Sequence, residues 1–436
     1  MALGGGTFIV QNKELPGAYI NFVSATSANP ALSDRGIATM PLELDWGVDG
    51  DIFEVTNSDF QKNSREIFGY EYTHDKLKGL RDLFLNTQTL YAYKLTSGGK
   101  KASNTLATAR YTGVRGNDIK IIVRKNADNE SLWDVQTVLD TVIVDEQTVE
   151  NGLDLVENSF VTWAKELVLE EPTAGMPLDG GENGKVTGKE YQDYLDKIEA
   201  YTYNAMGVVV TDEVTKSMFV SFNKRLRDEM GVKFQLVIHN NAADYYGVIN
   251  VKNKTLDAGW SEASLVYWIT GAQAGCAVNR SLQNTVYNGE FTVDAALTQT
   301  QLKQAIKAGE FTLHKVGSDI RVLADINSMV TITATMDDGF KENQTIRVAD
   351  QIANDTAVLF NSKYLGVVPN DDAGRVSFWS DIVKMLEQLR MIRAIEEFDE
   401  NAITVERGHE KKTVVAYYAV EVIGHMATLY MTVTVA

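Results

Sequence analysis

Five histidines, one cysteine, a glycine-rich loop and a few adjacent carboxylates are the residues with which this chain could do chemistry. The loop "GGENGKVTG" invites a phosphate-binding reading. A P-loop needs G-x-x-x-x-G-K followed by Ser or Thr, because that hydroxyl holds the metal. Here Gly184-Lys185 is followed by Val186, the position five before Gly184 is Asp179, and "PTAGMPL" separates the loop from any strand. A linker between domains fits better. His74, His239, His314, His409 and His425 are scattered, without H-E-x-x-H or Cys/His pairing, so no metal site is expected. A serine hydrolase needs Ser, His and Asp in reach of one another. His239 beside "NNAADYY" with Asp244 allows such a triad to be imagined, but no G-x-S-x-G elbow is present. The pairs Glu170-Glu171 and Asp371-Asp372 read as turn and surface residues. Cys276, in "GAQAGCAVN", reads as a small buried apolar residue. No catalytic, cofactor-binding or metal-binding residue is assigned, and no enzyme is expected.

Composition narrows the class. The 436 residues carry 41 basic and 59 acidic side chains, a net charge of −18. An acidic surface argues against a nucleic-acid partner, which requires a basic footprint. Hydrophobic residues make up 44% and charged residues 23%, an ordinary globular balance. No apolar run approaches a membrane span, so membrane insertion is not expected. The opening "MALGGGTFIVQNKELPG" lacks a charged leader with an apolar core, so no secretory signal is expected either. With a single cysteine there is no intrachain disulfide.

The elements that would position these residues follow from periodicity. "TFIVQ" and "AYINFVS" read as strands near the start, and "GIATMPLEL" as a further one, before a helix near 75–86 bearing Leu77, Leu80, Leu83 and Phe84. Residues 104–170 read almost wholly as β, with "DIKIIVRKN", "LWDVQTVLD" and "TVIVDEQTV" at sandwich spacing. After 176 helix and strand alternate. Tyr191, Tyr194, Leu195 and Ile198 mark one helix, and Val214, Met218, Phe222, Leu226 and Met230 another ending at Gly231. "MGVVVTD", "KFQLVIHN" and "GVINV" are strands, 261–277 is a helix, and Thr300 caps one that Gly309 stops. Such alternation predicts a largely parallel sheet. Two helices follow, the second over 376–398, then strands "AITVE" and "KTVVAYYAVEV". The last stretch, "ATLYMTVTVA", alternates: Leu429, Met431, Val433 and Val435 on one face, Tyr430, Thr432 and Thr434 on the other. Either it closes a sheet of its own chain, or it pairs with a neighbour's by β-augmentation.

The chain resembles the contractile tail sheath proteins of myophages and R-type bacteriocins, in the branch found in Gram-positive bacteria. The resemblance is carried by "GTFIVQNKELPGAYINF" at 6–22, "ARYTGVRGNDIKI" at 109–121, "KRLRDEMGVKFQ" at 224–235 and "VYWITGAQAGCAVNRS" at 266–281. It continues through "IRVLADINS" at 320–328, "IRVADQIANDTAVLFNSKYLGVVPNDDAGR" at 346–375 and "LYMTVTVA" at 429–436. It implies an α/β and α+β multidomain chain: an arm at 1–24, a small α+β domain at 25–97, and a β-sandwich-like domain at 98–175 on the outside. A subtilisin-like α/β core without a catalytic triad would follow at 176–340, then an α+β sheath domain at 341–426 and an arm strand at 427–436. The arms, Thr7, Phe8, Ile9, Val10 and Gln11 with Leu429, Tyr430, Met431, Thr432, Val433, Thr434 and Val435, would add strands to neighbouring subunits. Gly4 to Gly6 and Gly424 flank them, where permissive backbone helps a linker reorient. Implied partners are further copies in a helical sheath of stacked rings, a tail tube protein, and baseplate and tail terminator proteins. Contraction would drive the tube through a cell envelope without a nucleotide or other cofactor. The place of action would be a virion tail or phage-like particle, assembled in the host cytoplasm and released on lysis. Lys384, Arg390 and Arg393 on the second late helix are candidates to face an acidic tube. The competing reading is a hydrolase, or a degenerate one, built on the α/β core.

Overall fold

Runs of β-branched and apolar residues flanked by amphipathic helices can bury both faces of a strand only inside a layered α/β sheet. The computed structural model describes residues 32–435, so the stretch holding Thr7–Gln11 lies outside the described residues. Strands β1 (Ile37–Leu42), β2 (Ile52–Thr56) and β3 (Thr89–Lys94) precede an inserted β unit, and β10 (Ala205–Val208), β11 (Gln235–His239), β12 (Val248–Val251) and β13 (Glu310–Phe311) follow it. They form one sheet in the order β13-β12-β11-β10-β1-β3-β2. Every pairing is parallel except β2 with β3. Every residue of β10, β11 and β12 is buried, as expected with helices on both faces.

One face packs against α1 (Asn57–Phe68), α2 (Lys78–Phe84) and α5 (Leu265–Gly275), through Phe60, Leu80, Leu83, Trp268 and Ile269. The other packs against α3 (Gly188–Ile198) and α4 (Glu213–Arg225), through Tyr194, Leu195, Phe219 and Phe222. Helices α2 and α5 approach closely: a Cβ on Gly271 would lie 2.2 Å from the Leu83 carbonyl, and one on Gly275 1.8 Å from that of Asn86. Only glycine fits at either position.

Between β3 and α3 the chain makes the inserted unit. An antiparallel sheet joins β5 (Ile119–Lys125), β6 (Trp133–Leu139), β7 (Val142–Val149) and β9 (Met176–Pro177), with β4 (Ala107–Ala109) paired to β8 (Val161–Trp163). Its core alternates as the strands do: Ile119, Ile121 and Val123 point inward to meet Trp133, Val135 and Phe160. The glycine-rich loop is the return path from this unit. Its backbone pairs with the outgoing path: Gly184 N–H donates to Thr96 (2.8 Å), and Lys100 and Glu182 exchange N–H···O bonds (2.9 and 3.1 Å). Those amides are spent inside the chain and form no phosphate cradle.

The chain divides into two units, the boundary falling within α7 (Asn343–Leu359). The larger comprises the elements above, with α6 (Gln299–Lys307), the hairpin β14 (Leu313–Val316) and β15 (Asp319–Val322), residues 393–396 and residues 422–435. The smaller contains residues 355–392 and 397–421: the end of α7, α8 (Asp372–Met391) and an antiparallel hairpin, β16 (Thr404–Arg407) with β17 (Val414–Tyr417). Phe378, Ile382, Met385, Leu386 and Leu389 form the buried side of α8, and the Trp379 indole donates to the Ile403 carbonyl at 3.1 Å, just before β16.

Several elements differ from the sequence reading. Helix α1 was not expected; its low apolar content hides it, although Thr56 accepts from Asp59 N–H as its cap. The cap of α6 is Thr298, in a capping box with Gln301, instead of Thr300. Helix α8 stops at Met391, because Arg393 takes a left-handed φ of +61°. The segment "ATLYMTVTVA" forms no ladder with any described residue.

Candidate functional site

The chemically capable residues are held apart. His239 closes β11 and is 1% exposed. Its Nε2 has no hydrogen-bond partner, and burial pulls its pKa down to about 4. Asp244 turns elsewhere: its carboxylate accepts from the N–H groups of Val330 (2.6 Å) and Thr331 (2.9 Å) and from the Thr331 hydroxyl (2.5 Å). No serine hydroxyl meets the imidazole, so the triad that the hydrolase reading requires is not assembled on these residues.

Several other candidates are held in structural settings. His74 Nδ1 accepts from Lys76 N–H (3.2 Å), and its ring stacks on Tyr70. Burial pushes the Cys276 thiol up, away from a reactive thiolate. Asp371 caps α8 by accepting from Gly374 N–H (2.8 Å), and Asp372 pairs with Arg375. Among the described residues no group of His, Cys, Asp or Glu could hold a metal ion, and no helix is long and apolar enough to cross a membrane.

A different feature stands out at residues 422–435. Val422 makes an antiparallel bridge to Ile395, and Ile423 N–H donates to Ala394 (3.1 Å). The Gln344 amide donates to the Ile423 carbonyl (2.9 Å). Beyond Gly424, the His425 ring sits between two glutamine carbonyls, Nδ1 3.2 Å from Gln344 Oε1 and Nε2 2.5 Å from Gln283 Oε1. The ring ties this point to both α7 and the 280s loop. After it the restraint ends. Leu429, Tyr430, Met431, Val433 and Val435 are all exposed, Tyr430 by 93% and Val435 by 90%. This run of large apolar side chains has no backbone partner among the described residues. Sequence pattern singled out 429–435 as a strand; the anchor before it was not legible, because Gln283, Gln344 and His425 meet only in the fold.

The three cationic candidates do not form one patch on a helix. Lys384 lies 3.7 Å from Asp381, and Arg390 pairs with Glu397 at 2.9 Å. Six helical residues separate them, which turns the two about 120° apart around α8. Arg393, beyond the helix end, is exposed.

The chain is a mixed α/β multidomain protein in which His239 and Asp244 form no triad and the anchored segment at 422–435 ends in exposed apolar residues. Comparison with known proteins makes the class specific. Four family models tile the chain: the Tail sheath protein Gp18 domain III N-terminal region at 35–95, the phage tail sheath protein beta-sandwich domain at 97–183, the phage tail sheath protein central domain at 184–328 and the phage tail sheath C-terminal domain at 335–436. The crystal structure of the sheath tail protein from Desulfitobacterium hafniense is 32% identical, covers 93% of this chain and 100% of its own, and superposes with a TM-score of 0.78. The phage-like element PBSX protein XkdK of Bacillus subtilis (strain 168) is 29% identical over 99% of this chain and its own full length. The helical sheath of the anti-feeding prophage in its contracted state shares the fold at 12% identity, with a TM-score of 0.56 over 97% of this chain and 99% of its own. The chain belongs to the phage tail sheath family, and it is a structural subunit of a contractile tail sheath.

Proposed function

We propose that this subunit polymerises as a helical sheath of stacked rings around a tail tube, and that its arms link neighbours by donated strands. The carrying observation is the segment from Leu429 to Val435, patterned as a strand yet unpaired and exposed among the described residues. A strand with unmet backbone groups gains most by joining another sheet's edge. Hairpin β16–β17 supports the acceptor role: it has two strands, no further partner among the described residues, and a lone ribbon is marginal by itself. The pattern of Thr7 to Gln11 assigns that stretch the same donor role.

In this reading the α/β core of residues 176–340, subtilisin-like in arrangement, moves as a rigid body together with residues 25–97, whose strands β1, β2 and β3 share its seven-stranded sheet. The 98–175 unit decorates the outside, and the 341–426 domain carries the acceptor hairpin. Contraction rotates subunits outward and drives the tube through the target envelope, on free energy stored at assembly. No catalysis, cofactor, nucleic acid or membrane insertion enters. Tube, baseplate and tail terminator proteins are the partners, with Lys384, Arg390 and Arg393 toward an acidic tube surface. The setting is a virion tail or phage-like particle, built in the host cytoplasm and released on lysis.

Deleting residues 427–436 tests the linkage. The expected product melts almost normally but forms no cylinders by negative-stain microscopy. Loss of folding would mean that the strand belongs to its own core, and cylinders from the truncated chain would remove the arm from the linkage.

A further inference from the structure

The smaller unit holds a cavity of about 480 Å³ that none of the structural roles above uses. Its wall is aromatic: Phe378 packs edge-on against Phe360 (centroids 5.6 Å apart) and Tyr364 (4.9 Å), which stack on each other. The Tyr364 hydroxyl is already engaged by Asp381 at 2.5 Å, so what this side chain offers a ligand is its ring. Val368 and Val414 also line it, together with the charged side chains of Arg375 and Lys412. Val414 is the first residue of β17, so the cavity opens beside the strand whose outer edge has no partner among the described residues.

We propose that this cavity is the side-chain pocket that recognises the arm of a second copy of this chain, seating Met431. The inference rests on the strand-donation reading and adds the site that sets its register. An added strand places alternate side chains about 7 Å apart on one face, so a single deep pocket beside the edge fixes which residue stops there. The arm's apolar row is Leu429, Met431, Val433 and Val435, and Met431 lies inside it with an apolar neighbour on each side. An unbranched thioether suits an irregular aromatic cavity and gains sulfur–ring contact there. The opposite row, Tyr430, Thr432 and Thr434, would set hydroxyls against the aromatic wall. Segment and cavity lie at different places on one chain, so the contact is heterologous and propagates into an open assembly, as a sheath requires.

The test is disulfide trapping in the full chain. Cys276, the native cysteine, is buried and serves as the internal control. Mild oxidation of Val368→Cys/Met431→Cys is expected to give a covalent ladder of dimers, trimers and longer species. Val368→Cys/Tyr430→Cys is expected to give none, because cysteines whose Cβ vectors diverge cannot bridge. An equal ladder from both pairs, or a bond closed within one chain, overturns the proposal. Cylinders that form with neither pair cross-linking overturn the pocket while leaving strand donation standing, whereas strand donation itself fails if the 427–436 deletion still assembles or no longer folds. Val368→Trp provides a second reading that needs no cysteine. It fills the cavity from a half-buried loop position and is expected to raise the protein concentration needed for assembly at an unchanged melting temperature. Assembly at the wild-type concentration with that variant overturns the pocket. So does competition for it by a peptide of residues 6–22 in place of one spanning 426–435.

Discussion

His239 shows how a residue that looks catalytic becomes a stability element. Its ring is buried and its Nε2 unpaired, so the fold accepts the neutral imidazole and resists the charged one. Burial holds the folded pKa at about 4, against 6.5 for a free histidine. Between those values the unfolded chain takes up a proton that the folded chain refuses, so stability falls as pH drops from 6.5 toward 4. The loss is bounded at about 3 kcal/mol. His239→Leu is expected to remove it: melting temperatures compared at pH 7 and pH 4.5 should drop less in the variant than in the parent chain. An undiminished drop would assign the acid sensitivity to another group. Glu342 contributes with the opposite sign. Burial, then the nearby Asp325 charge, raise its carboxyl to about 7, so its share of stability is present below the ordinary value of 4.5 and lost as pH rises through 7. Glu342 therefore offsets part of the acid loss, in the parent chain and in His239→Leu alike, while His314, whose pKa burial also lowers, adds to it.

At the scale of elements, α7 is tied to the α/β layer by buried charge. Arg227, in the π turn of residues 226–230 that follows α4, grips Asp350 of α7 through two bonds of 2.7 Å. Arg347, one turn earlier, meets Asp325 at 2.6 Å with both side chains buried. Burial alone would raise the Asp325 carboxyl, but the Arg347 charge, the Leu282 N–H and Asn343 outweigh it and hold it low. Asp350→Ala leaves Arg227 buried without its counter-charge and is expected to cost roughly 3–5 kcal/mol by denaturant unfolding. The double variant Arg227→Met/Asp350→Leu should recover most of that loss. If the two are equally damaging, shape at this contact matters more than charge. Neither pair was legible in the sequence, since Arg227 and Asp350 stand 123 positions apart and nothing local links them. Legible elements were those with strong local periods: β5, β6 and β11 by their apolar runs, α3 by its tyrosine–leucine stripe. The stripe assigned to α4 was rotated. Val214 and Met230 are exposed, and the true core face is Thr215, Phe219, Phe222 and Leu226, because an i+4 row drifts around a helix of 3.6 residues per turn. The terminal segment was legible as a strand pattern, but whether a strand pairs within its own chain is decided by distant edges, and sequence does not display those.

For the whole molecule, the governing quantity is a net charge of −18 on a chain that must pack against copies of itself. Like-charged subunits repel over a Debye length of about 10 Å at 0.1 M salt, and added salt shortens that reach. The proposed arm differs, since residues 427–435 contain no Asp, Glu, Lys, Arg or His. The apolar and main-chain contacts proposed for it would carry little salt dependence of their own. Salt should therefore act on assembly through the general field alone. Raising sodium chloride from about 20 mM to about 200 mM is expected to lower the subunit concentration at which light scattering reports polymerisation. The melting temperature of dilute subunits should change little over the same range, since most of the ion pairs are exposed or half-exposed and individually weak. A sheath that instead dissolves as salt rises would show that opposite charges facing one another between subunits, for example Lys384 or Arg393 against a neighbour's carboxylates, outweigh the overall repulsion.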